Sequence, residues 1–169
     1  LLVRLVVSKP RGGIIDFTDP GAVDWWQQKH RDLLEMGVDG FWTDFGEYLP
    51  DDAILSNGTS GSQMRNRYPD LYQQTAADAM AAHGRTPLLW SRAGWMGTQR
   101  MPVHWGGDSD TTFSSLAATL RGGLSLALSG YGFWSHDIGG FRGTPSSDLY
   151  IRCAPFGLLS SHARFHCTY

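Results

Sequence analysis

Six polar positions fall where short apolar runs end: Asp44 after Phe41-Trp42-Thr43, Arg92 after Leu89-Trp90-Ser91, Asp108 after Val103-His104-Trp105, the pair His136-Asp137 after Phe133-Trp134-Ser135, and His166 near the C-terminus. If the runs are parallel strands, these side chains share the carboxyl-end rim, where α/β folds bind their ligands. Asp44 and Asp108 are then two carboxylates on nearby strand ends, close to the aromatic side chains Trp42, Trp105 and Phe141. Cleavage of a glycosidic bond needs such a pair, one ionised at the anomeric carbon and one protonated at the departing oxygen. A lone Asp at a strand end is more often a cap or turn residue. Capping does not explain Trp and Arg in the same set.

The elements that would position the rim follow from local pattern. Gly13-Ile14-Ile15-Asp16-Phe17 reads as a strand, Asp19 as an N-cap with Pro20 at the first helical position, and residues 22–36 as a helix with Val23, Trp26, His30, Leu33 and Leu34 on its apolar face. Gly37 closes it, and residues 38–45 form the next strand, so a βαβ unit with parallel pairing is predicted. Residues 48–66, rich in Pro, Asp, Gly and Ser, read as a long loop. The alternation continues with a helix over 70–83, strands over 86–92 and 100–105, a helix over 113–128 in which Gly122 and Gly123 allow close packing, a strand over 132–135, a helix over 147–156 and a last strand over 158–161. Either an open doubly wound sheet or part of a (β/α)8 barrel fits this order, and a complete barrel needs about 250 residues.

Composition narrows the classes. The 169 residues carry 14 Lys+Arg against 16 Asp+Glu, a net charge of −2, which argues against an electrostatic nucleic-acid partner. An apolar fraction of 41% is ample for a packed core. The opening Leu1-Leu2-Val3-Arg4-Leu5-Val6-Val7 is too short for a membrane helix, and no signal-peptide layout is present. Cys153 and Cys167 have neither CxxC spacing nor company enough for a disulfide framework, which fits a reducing, cytoplasmic location. The 21 glycines gather beside aromatic and charged residues, as pocket-forming loops require. Neither a phosphate-binding GxxxxGK[ST] nor a GxGxxG is present. His162 and His166 stand four apart without an HExxH, and read as core or substrate-contact histidines with no metal site. Trp25 and Trp26 read as packing residues.

The run Asp39-Gly40-Phe41-Trp42-Thr43-Asp44-Phe45-Gly46-Glu47 resembles the nucleophile region of glycoside hydrolase family 31, the α-glucosidases and α-xylosidases. Further matches follow in order: Asp16-Phe17-Thr18, Trp90-Ser91-Arg92, residues 102–108 ending in Trp-Gly-Gly-Asp, Leu120 to Ser125, Phe133 to Phe141, and Phe156 to His162, so that the likeness covers roughly residues 12–167. Residues 1–9 carry no motif that can be placed in that resemblance.

The resemblance implies an α/β fold, a truncated (β/α)8 barrel holding about strands 3 to 8, with residues 1–169 as one partial catalytic domain and no second domain. It implies hydrolysis with retention through a covalent glycosyl-enzyme, Asp44 as nucleophile and Asp108 as acid/base, their carboxyls about 5–5.5 Å apart. Arg92 and His166 match residues contacting the sugar hydroxyls, Trp42, Trp105 and Phe141 match pocket walls, and Asp137 matches a polar network under the sugar. No cofactor is implied. The expected partner is a carbohydrate substrate, without nucleic acid or membrane, and the full-length protein is a candidate homo-oligomer. Residues 133–141 are most similar to the α-xylosidase-like branch, yet Trp42 stands where that branch carries lysine and α-glucosidases carry tryptophan. The run from Asp44 to Pro50 is similar to sulfoquinovosidases. A carbohydrate-binding module without turnover, or an inactive fragment of the hydrolase, is the alternative.

Overall fold

The computed structural model describes residues 2–4 and 13–168. It divides into two compact units, Leu1–Leu89 with Ala93–Met101, and Trp90–Arg92 with Pro102–Tyr169.

In the first unit β1 (Leu2–Arg4) pairs antiparallel with β2 (Gly13–Ile15). Helix α1 (Pro20–Glu35) begins as its sequence directs: Asp19 is extended, its carboxylate accepts the Gly21 N–H at 2.8 Å, and Pro20 occupies the first turn. Ala22, His30 and Leu34 form its buried stripe, whereas Leu33, expected on that face, is exposed. Strand β3 (Phe41–Thr43) follows, and the Phe41 N–H donates to the Leu88 carbonyl at 3.0 Å, just before β4 (Leu89–Ser91).

The segment expected as a long loop is more ordered than its composition suggests. Leu49, Ala53 and Leu55 are buried beside Phe17, Met64 and Tyr68. A short helix α2 (Gly61–Met64) starts at a reciprocal Ser60/Gln63 capping box, and Arg65 pairs with Asp51. Gly61 is required here because a Cβ would collide with the Pro50 carbonyl oxygen. Helix α3 (Tyr68–Ala82) completes the unit, its Ala76, Ala77 and Met80 packing with Leu34, Leu89 and Met101.

In the second unit the strands run in chain order. Residues Trp90 and Ser91 of β4 pair parallel with Val103 and His104 of β5 (Val103–Trp105), whose His104 and Trp105 pair parallel with β6 (Trp134–Ser135). An unreversed order is what a barrel needs; a doubly wound sheet reverses at its switch point. Helix α4 (Phe113–Leu128) has the predicted bounds and is capped by Thr112. Of its two glycines, Gly123 takes the close approach, with the Trp134 indole 2.8 Å from where a Cβ would stand, while Gly122 faces open space.

The last expected strand is corrected. Helix α5 (Ser147–Leu158) runs through Pro155, the Leu159 N–H donates to the Pro155 carbonyl at 3.0 Å, and residues 159–161 are turn and bend. A short apolar run does not itself separate a helix end from a strand. The strand lies further on: β7 (Asp137–Ile138) pairs parallel with β8 (Arg164–Phe165).

Candidate active site

Asp44 stands one residue beyond β3, and side-chain alternation puts it on the same face as half-buried Trp42 while Thr43 is buried on the other. Its Oδ1 accepts the Phe45 N–H at 2.8 Å. Phe45 has φ 61° and Gly46 φ 98°, so the chain turns sharply after the carboxylate, and a bulky residue occupies the left-handed region. A cavity of about 300 Å³ opens here, lined by Asp44, Phe45, Tyr48, Phe17 and Tyr72 among others. Phe17 stacks on Tyr72 with ring centroids 5.4 Å apart. Burial and then the Asp44 charge push the Tyr72 phenol up to about 12, and burial drives that of Tyr68 higher still. Both phenols are therefore neutral beside the carboxylate.

Below the cavity Asp16 is buried and accepts the N–H groups of Thr18 and Ser56 at 2.9 and 2.7 Å. Burial alone would raise its pKa, but these bonds and the Thr18 hydroxyl outweigh it and hold the carboxyl low. The strand end is thereby tied to the 48–60 segment. Trp26 packs against Phe17, Tyr72 and His30, as expected of it, and Trp25 is half exposed.

The second unit brings together Arg92, Trp105, Asp108, Asp137, Phe141 and His166. Arg92, with 12% of its side chain exposed, sets Nη1 3.7 Å from Asp108 Oδ1, an ionic contact too long for a hydrogen bond. Asp108 follows Gly107 at φ 71°, and the next carbonyl, that of Ser109, accepts the N–H groups of both Phe141 and Arg142 at 2.8 and 3.0 Å. Phe141 stacks on the exposed His166 at 4.8 Å, and its carbonyl takes the Thr168 N–H at 2.7 Å. Loop backbone thus knits the Asp108, Phe141 and His166 segments together.

Asp137 is 1% exposed, and its Oδ1 accepts Arg164 Nε at 3.1 Å. Its Oδ2 has no hydrogen-bond partner among the described residues. Burial pushes its pKa up, opposed by Arg164 and the nearby His166, with Asp108 adding to the rise. The Arg164 guanidinium also lies 5.8 Å over the Trp105 ring, which is almost fully buried. Arg164 was not among the sequence candidates; its signal is a cation two residues before His166, on the same face of an extended segment. Tyr72, four residues after Tyr68 on α3, was missed likewise.

His136 belongs elsewhere. Its neighbour Asp137 faces the cluster, while the His136 ring is buried against Phe156 of α5. His162 and His166 lie in non-helical backbone, so their spacing does not put them on one helix face; His162 packs edge-on to Trp90 and Phe133. Cys153 is a buried thiol and Cys167 an exposed one. Among the described residues no helix is long and apolar enough to cross a membrane, and no group of three metal-ligating side chains gathers.

Residues 4–169 match the family described as the glycosyl hydrolases family 31 TIM-barrel domain. The chain belongs to glycoside hydrolase family 31. An alpha-xylosidase of Emericella nidulans is 45% identical over 156 residues, 90% of this chain and 20% of that protein. The cycloalternan-forming enzyme from Listeria monocytogenes, solved with a pentasaccharide substrate, superposes with a TM-score of 0.89 at 36% identity over 99% of this chain and 16% of its own. The cycloalternan-degrading enzyme from Trueperella pyogenes, solved with a covalent intermediate, gives 0.87 at 28% identity over 95% and 22%. This family 31 chain thus spans about a fifth of the length of its relatives, and its parallel strands are part of a (β/α)8 barrel. The open doubly wound alternative is excluded.

Proposed function

We propose that the protein carrying this chain is a retaining α-glycoside hydrolase releasing α-linked glucose or xylose, and that residues 1–169 are a piece of its single catalytic barrel. Asp44 is the nucleophile. Asp108 is the acid/base, giving a proton to the leaving oxygen and then taking one from water. Arg92 and His166 bind sugar hydroxyls, Asp137 Oδ2 accepts another, and Trp42, Trp105 and Phe141 shape the pocket. The reading is carried by the family match together with the position of both carboxylates one to three residues beyond strand ends, each on a sharp turn. Retention is supported by a relative that was solved with a covalent intermediate.

The test is turnover of aryl α-glucoside, α-xyloside and α-sulfoquinovoside by the full-length protein, with the first-formed anomer followed by NMR. Early release of the α-anomer is expected, and Asp44→Asn should lower kcat by on the order of 10³-fold or more with the fold retained. Release of the β-anomer would refute retention. Near-normal turnover in the variant would remove Asp44 from the mechanism. Sugar binding without turnover would select a carbohydrate-binding module.

A further inference from the structure

The turn that follows Asp44 meets two adjacent residues of α3. Phe45 sits at φ 61°, which bulky residues rarely adopt, and such backbone persists only where its surroundings hold it. At Gly46, with φ 98°, those surroundings come close: a Cβ there would stand 3.3 Å from Tyr72 Cδ1 and 3.4 Å from the Ala93 Cβ. The Tyr72 ring is backed by Phe17, stacked at 5.4 Å, and by Trp26 at 6.3 Å. Ala93 is tied by the next residue of the helix, since Gln73 Nε2 donates to the Ala93 carbonyl at 2.6 Å. Gln73 is 1% exposed, and an amide buried that deeply is costly unless it is bonded, so the tie is specific. Completely buried Ala76, Ala79 and Met80 fix the helix itself.

Asp44 lies two residues before Gly46, and its Oδ1 accepts the Phe45 N–H at 2.8 Å, so a shift of the turn carries the carboxylate with it. We propose that Tyr72 and Gln73 are positioning residues that clamp the Gly46 turn and thereby aim Asp44. The clamp deepens the reading of Asp44 as nucleophile and rests on it. A nucleophile must reach the anomeric carbon in line with the departing bond, and a misplacement of about 1 Å in such a group costs on the order of 10²-fold in rate. Tyr72 acts through its ring, because Cδ1 and not the phenol oxygen meets Gly46. Gln73 acts at one remove, by holding Ala93 against the same glycine.

A 5-fluoro-α-glycosyl fluoride isolates the aim of the nucleophile, because fluoride departs without a proton and the glycosyl-enzyme then breaks down slowly. An Asp44 oxygen bonds the anomeric carbon as fluoride leaves with the electron pair of the C–F bond, and mass spectrometry follows the label on the Asp44 peptide. In the full-length protein, Tyr72→Ala should lower the labelling rate constant by about 10²-fold while the half-saturating reagent concentration stays within about three-fold. Tyr72→Phe, which keeps the ring, should restore the rate. Gln73→Leu keeps the volume and drops the amide; it should slow labelling likewise, and it carries the test where Tyr72→Ala does not fold. A merely structural role would reduce the fraction of protein labelled and leave the rate constant of the folded remainder unchanged. That result, or an equal loss in Tyr72→Phe, would overturn the clamp. If the unaltered protein takes no label, the hydrolase reading fails by itself. Amide hydrogen exchange then decides the clamp: faster exchange at residues 45–47 relative to α3 in Tyr72→Ala supports it, and unchanged or uniformly faster exchange overturns it.

Discussion

The His136 imidazole gives the second unit a built-in sensitivity to acid whose size follows from its surroundings. The ring is 2% exposed, stacked on Phe156 at 4.3 Å, and neither nitrogen has a hydrogen-bond partner among the described residues. Burial lowers its pKa from 6.5 to about 4. Between those values the unfolded chain takes up a proton that the folded chain refuses, so stability falls as pH falls, and the loss stops growing once the folded state titrates. At about pH 5 the linkage amounts to roughly 2 kcal/mol, against a few tenths at neutrality. His136→Phe keeps the aromatic stack and removes the titration. In urea denaturation at about pH 7.5 and about pH 5, the unaltered protein should lose about 2 kcal/mol more than the variant, and titrations common to both cancel in the difference. Equal acid-induced losses would show that His136 is protonated at little cost, and would refute the assignment of a buried neutral ring.

Asp108→Ala should slow glycosylation far more for substrates with poor leaving groups than for activated ones, read from kcat/KM across a series of aryl glycosides; a uniform loss would deny the acid role. Gly61→Ala should destabilise the first unit by about 1–3 kcal/mol in thermal or urea unfolding, because the added methyl meets the Pro50 carbonyl. Arg164→Gln leaves the buried Asp137 carboxylate without its cation and should cost on the order of 3 kcal/mol of stability. Burial already raises the Asp137 pKa against the pull of Arg164, so the same variant should move the acid limb of kcat/KM to higher pH, and Asp137→Asn should abolish that movement.

What could be read from the sequence divides along the range of the forces involved. Helix α1 begins at Asp19-Pro20 and α4 at Thr112 because capping is settled within four residues. Asp44 and Asp108 are legible as candidates for a similar reason, since one lies one residue and the other three residues beyond the end of a short strand, each beside a glycine turn. Strand β8 was misplaced because its partner is β7, with Asp137 opposite Arg164 across 27 residues, and no local pattern states that pairing. Arg164 carries no local signal for the same reason. The order within residues 48–66 comes from Leu49, Ala53 and Leu55 finding a core made of Phe17 and Tyr68, which turn-forming composition conceals. Position at a strand end does not by itself separate His136 from Asp137; strand alternation sends the first against α5 and the second to the cluster.

The second unit also shows how main-chain bonds can fix a carboxylate that stands on a loop. Asp108 lies in irregular backbone, where mobility is the ordinary expectation. Its following carbonyl nevertheless holds two N–H groups from residues 141 and 142, and the carbonyl of Phe141 holds that of Thr168. Three loops therefore brace one another through main-chain bonds, which no side-chain substitution in those loops removes directly. The side chains then divide the remaining work: Arg92 confronts Asp108, Arg164 holds Asp137, and Phe141 carries His166. With the frame made of backbone, substitutions at Phe141 or His166 leave Asp108 held, so under the roles proposed above sugar specificity and acid/base geometry are separable. A Phe141→Leu variant should accordingly change KM between glucoside and xyloside more than it changes the leaving-group dependence of kcat, and a matched change in both would show that the stacked ring, and not the backbone, holds the acid in place.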